Sequence, residues 1–98
     1  MVRAHIKINH YTRLLVSELA DFAQNNVLGS VTLEYRASDA TWQFWVQHKA
    51  GDTYLLSEQE GWATMFFKSL RDTLVFLKGV GVSEVALDLR DWSPTSDL

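Results

Sequence analysis

The chain has 98 residues, a formal net charge of −3 and no cysteine. Without cysteine there are no disulfides, no thiolate nucleophile and no Cys-ligated zinc, and an acidic balance argues against a dedicated nucleic-acid binder. No apolar run reaches the roughly 18 residues of a membrane span, and Met1-Val2-Arg3-Ala4 opens no signal peptide, so the expectation is a soluble cytoplasmic protein.

Hydrophobic residues make up 47% of the chain, including 4 Trp, 3 Tyr and 5 Phe, enough for one core without metal or disulfide support. The expected organisation is one domain over residues 1–92 with a frayed tail over 93–98. Charge is uneven along it. Arg3, Lys7 and Arg13 precede the first acid, Glu18, whereas Glu84, Asp88, Asp91 and Asp97 meet only Arg90 at the far end. A basic first strand near an acidic last one accounts for this through cross-strand pairing; a basic patch is the other reading.

Val2, Ala4, Ile6 and Ile8 alternate with Arg3, His5 and Lys7, the pattern of a half-buried strand. Asn9 can cap a helix that carries Tyr11, Leu15, Leu19 and Phe22 at helical spacing, widened by Leu14 and Ala23 and ended by Asn25-Asn26. Alternation returns over Val31–Tyr35. A turn at Ala37–Ala40 leads to a strand over Thr41–His48, and Lys49–Asp52 turns the chain into Thr53–Leu56.

Residues 57–68 read two ways. Glu60-Gly61 turns a hairpin whose return strand is Trp62–Phe67, or Ser57-Glu58-Gln59-Glu60 caps a long helix with Trp62, Phe66, Leu70 and Leu77 on one face. Gly61 in the first turn and the paired aromatics favour the hairpin. Ser69-Leu70-Arg71-Asp72 spells a capping box, followed by Leu70, Leu74 and Leu77 on one helical face. Gly79 is the expected left-handed stop. In the closing strand Val85, Leu87 and Leu89 alternate with Ala86 and Asp88, as in a half-buried strand.

The resulting order, β-α-β-β-β-(β)-α-β, predicts an α+β fold, a mainly antiparallel sheet with two helices packed on one face. The chain is too short for a doubly wound nucleotide-binding fold, and its middle strands lack crossover helices.

Catalytic signatures are sparse. His5, His10 and His48 lack the spacing that aims two imidazoles at one metal, although His48 and Asp52 flank a turn. Gly79-Val80-Gly81 lies between a helix and a strand, the reverse of the order a phosphate loop needs. The carboxylates are dispersed, and no Gly-x-Ser-x-Gly or Ser-x-x-Lys occurs. No metal, cofactor or catalytic role is expected; a ligand pocket near Tyr35 and Tyr54 is the remaining enzyme-like reading.

Trp45 stands out. Trp42, Phe44 and Val46 form the apolar side of their strand, which leaves Trp45 on the other side between Gln43 and Gln47. A core position under the tail or under Arg36 is one account of it; a binding surface is the other. The expected function is a non-catalytic protein-interaction module, self-associating as a homodimer through an exposed sheet face formed by Trp45, Gln43, Gln47 and Arg36. The alternative is an accessory nucleic-acid-binding protein with Arg3, Lys7 and Arg13 on phosphates and Trp45 stacking on bases.

Overall fold

A computed structural model describes residues 12–58 and 64–94. The expected first strand over 2–8, with Arg3, His5, Lys7, Asn9 and His10, lies outside the described residues, as do the Glu60-Gly61 turn, Trp62 and residues 95–98.

The elements are β1 (Thr12–Leu15), α1 (Val16–Gln24), β2 (Leu28–Arg36), β3 (Thr41–His48), β4 (Thr53–Ser57), α2 (Leu70–Gly79) and β5 (Ala86–Asp88). They form an α+β fold with a five-stranded sheet in the order β1-β4-β3-β2-β5. The central pairs β2–β3 and β3–β4 are antiparallel hairpins. Both outer pairs, β1–β4 and β2–β5, are parallel. The sheet is therefore mixed rather than mainly antiparallel, because each edge strand arrives from a distant part of the chain instead of through a tight turn.

The first helix begins later than its spacing suggests. Thr12–Leu15 is extended and pairs in parallel with Tyr54–Ser57, which sets Leu14 opposite Leu56, and both are buried. Burial against β4 outweighs the weak local preference for helix. The helix starts only at Val16, where the Leu15 N–H donates to Glu18 Oε1 at 2.9 Å. It ends at Asn25-Asn26 as the sequence indicates. Asn26 takes φ 60°, and Val27 N–H donates to Phe22 O at 3.0 Å, the closing bond of a Schellman turn.

Residues 64–68 are not helical. Thr64 bridges Ser57 in antiparallel sense, as the hairpin reading requires, but the chain then leaves β4 and Phe67 bridges Trp42 instead. The reason is the shortness of β4: it covers only Trp45–Gln47 of β3, so the edge at Trp42 is satisfied by Phe67 (N···O 2.7 and 3.1 Å).

Ser69 caps α2, its Oγ accepting from Asp72 N–H at 3.2 Å. The buried residues of α2 are Thr73 and Leu77, whereas Leu74 faces outward. The stop is Gly81, at φ +100°, not Gly79. Val82 N–H donates to Leu77 O (3.0 Å) and Gly81 N–H to Lys78 O (3.1 Å). These are the two bonds of a Schellman motif, with Val82 and Leu77 as its apolar contact.

Both helices lie on one face of the sheet. Phe22 of α1 meets Tyr54 edge-on at 5.7 Å, and Phe76 of α2 meets Phe44 at 5.8 Å. Val46 is the register partner of Tyr54, so Phe44, Val46 and Tyr54 share that face. The core there comprises Leu14, Leu19, Val31, Leu33, Tyr35, Trp42, Phe44, Val46, Leu56, Leu77 and Val82.

Candidate functional site

The strand period places Gln43, Trp45 and Gln47 together on the face of β3 opposite the helices. The register adds Thr32 opposite Trp45 and Glu34 opposite Gln43. Glu34 organises this surface. Its Oε1 accepts from both Gln43 Nε2 and Trp45 Nε1, each at 2.7 Å. One carboxylate thus fixes the neighbouring amide and the indole, and Trp45 is half-buried rather than a free ring. Gln47 is exposed and makes only long contacts, to Ser30 Oγ at 3.4 Å and Gly51 O at 3.5 Å. A shallow hollow of about 180 Å³ lies beside Trp45, bordered by Ser30, Thr32, Gln47 and Thr53.

The cations near this face are already engaged. Arg36 lies over the Phe66 ring at 4.6 Å, not over Trp45, and pairs with Asp39 at 3.8 Å. Arg90 Nη2 meets Asp88 Oδ2 at 2.6 Å, and this guanidinium holds the Asp88 carboxyl below its ordinary value, chiefly through the side-chain hydrogen bond. Arg13 Nη1 donates to Thr64 Oγ1. Arg3 and Lys7, the other two basic residues singled out for phosphate contact, lie outside the described residues.

The remaining candidates are used structurally. His48 packs edge-on against Phe22 at 4.9 Å, its Nδ1 accepts from Ala50 N–H at 2.9 Å, and it meets Asp52 through the backbone. Tyr35 is buried against Trp42 at 5.1 Å. Among the described residues, no group of three or more His, Cys, Asp or Glu side chains is placed to hold a metal, and no helix is long and apolar enough to cross a membrane.

A second surface escapes the sequence pattern. Leu87 and Leu89, read there as the apolar side of a half-buried strand, are 42% and 48% exposed, and Leu74 and Val75 of α2 are 40% and 61% exposed. The cause is position: β5 is the sheet's last strand, and α2 does not reach over its outer side. A groove of about 420 Å³ lies between α2 and the segment that leads into β5, lined by Leu74, Leu77, Lys78, Val82, Ser83 and Val85. Only strand order reveals this surface.

No protein-family model, curated protein or solved structure matches the chain.

Proposed function

We propose that the chain is a non-catalytic protein-interaction module that works as a homodimer, joined at the β5 edge of its sheet. One observation carries this reading: Leu74, Val75, Leu87 and Leu89 are the large hydrophobic side chains left exposed among the described residues, and all four sit on α2 or on β5 and the residue that follows it. Scattered exposed leucines need no explanation, but Leu87 and Leu89 along an edge that is unpaired among the described residues do. β5 is short and its single charge, Asp88, is held by Arg90; no Lys or Pro lies within Val85–Leu89.

The magnitudes favour a weak association. The exposed fractions of Leu74, Leu87 and Leu89 add up to a little over one leucine side chain per copy, worth roughly 2–4 kcal/mol on full burial. Two copies together gain about 4–8 kcal/mol, against an association cost of roughly 4–15 kcal/mol. The Trp45 face contributes little to this balance, because Glu34 already satisfies the indole and Gln43.

The test is sedimentation velocity of the full chain from about 1 to several hundred micromolar, with and without a mixed-sequence oligonucleotide at low salt. The expected result is a concentration-dependent dimer, indifferent to the oligonucleotide and lost in Leu89→Glu, whose melting temperature matches the parent at concentrations where both are monomeric. A monomer throughout, or a complex with the oligonucleotide that dissolves in salt, refutes it.

A further inference from the structure

We infer that the partner at the β5 edge is a second copy of this chain whose β5 lies antiparallel to the first, with the two-fold axis passing through Leu87. This rests on the self-association proposed above and specifies its geometry. A two-fold axis perpendicular to the sheet keeps the helices of both copies on one side and sets the two edge strands antiparallel.

Charge disfavours the two registers on either side. An axis at Ala86 sets Glu84 against Asp88 of the second copy, and an axis at Asp88 sets that carboxylate against itself. Like charges directly opposite are destabilising. An axis at Leu87 removes both conflicts. It sets Ala86 against Asp88 on both sides of the dyad, with Glu84 and Arg90 of the second copy as neighbours beyond the ends of β5. Glu84 is exposed, and Arg90, although engaged by Asp88, keeps 81% of its side chain exposed, so Glu84 of the second copy would share that guanidinium with Asp88.

Apolar shape agrees with the same register. Leu87 meets its own counterpart, and Leu89 of the second copy comes opposite Val85. Val85 is a wall of the 420 Å³ groove that Leu74, Leu77 and Val82 complete. Leu89 therefore fills the groove of the facing molecule, which explains why an apolar groove and a protruding leucine occur on one edge. The product is a continuous sheet across two molecules, with the Glu34–Gln43–Trp45 cluster repeated on its helix-free face.

The chain has no cysteine, so Leu87→Cys reports the axis directly. Antiparallel neighbours stand about 4.5–5.5 Å apart at Cα, within the range of a disulfide. Mild oxidation is expected to join Leu87→Cys into covalent dimers, while Ala50→Cys, in the β3–β4 turn, stays monomeric. Glu84→Arg and Arg90→Glu are each expected to weaken dimerisation by about tenfold, since each alters two exposed pairs, and the double exchange is expected to recover most of the loss. If the chain dimerises but Leu87→Cys fails to cross-link and the charge reversals are silent, the Leu87 register is overturned while self-association stands. A chain that is monomeric at every concentration overturns both.

Discussion

Two glycines, two residues apart, occupy opposite conformational regimes at the end of α2, and alanine at each gives opposite outcomes. Gly79 is the last helical residue, and a Cβ added there meets nothing within 4 Å. Gly79→Ala removes backbone freedom from the unfolded chain and is expected to stabilise by about 0.5–1 kcal/mol. Gly81 sits at φ +100°, where an L side chain is strained by roughly 1–2 kcal/mol. Its new Cβ would stand 3.4 Å from the Ala23 Cβ, an ordinary contact that adds little, so the penalty is conformational. Gly81→Ala is expected to destabilise by about 1–2 kcal/mol, a fall of roughly 4–16 °C in melting temperature for a domain of this size. Urea unfolding followed by tryptophan fluorescence, at one low protein concentration for all variants, measures both. A neutral Gly81→Ala, or a Gly79→Ala more damaging than it, refutes the assignment of the helix stop to Gly81.

Other outcomes follow from the sheet. Gly29 lies at a register shift in β2, and a Cβ there would stand 2.8 Å from the Gln47 carbonyl oxygen; Gly29→Ala is expected to cost ~2 kcal/mol in urea unfolding, with amide shifts concentrated in β2 and β3. Glu34→Ala strips Gln43 and Trp45 of a shared acceptor and is expected to cost about 1–2 kcal/mol, while a conservative Glu34→Gln, which keeps the acceptor oxygen, loses less; equal losses contradict the role given to that oxygen. Asp88, held below its ordinary value by Arg90, contributes stability that is present above the unfolded aspartate value and disappears as pH falls through the lower folded value. A carboxyl titration by NMR is expected to show a depressed midpoint that rises to the ordinary value in Arg90→Ala; a midpoint already there in the parent chain contradicts the pairing.

The central part of the fold was legible in the sequence because its contacts are local. β2, β3 and β4 follow one another through short turns, and alternation alone separates Phe44 and Val46 from Gln43, Trp45 and Gln47. The edges were not. Leu14, Leu15, Leu19 and Phe22 fit helical spacing, and nothing near them reveals that Leu14 faces Leu56 from far along the chain. Leu87 and Leu89 have the alternation of a buried strand whether the strand is central or terminal, and only the order β1-β4-β3-β2-β5 exposes them. Within the candidate site the Trp45 side was predictable from its neighbours, whereas Glu34 became its organiser only once register set it beside Gln43.

The parallel pairing of both outer strands bears on how the sheet assembles in time. Hairpins form within microseconds, but joining Thr12 to Tyr54, or Thr32 to Ala86, requires closing a long loop before any contact rewards it. Assembly therefore proceeds outward from β3, and the margins are completed last. Amide exchange in the native protein should follow the reverse order, with β1 and β5 opening before the β2–β3 ladder. Any species lacking β1 bares the flank of β4 as well as the unguarded rim beyond β2. During folding the molecule thus has two sticky borders, and among the described residues β5 remains an edge of the finished sheet.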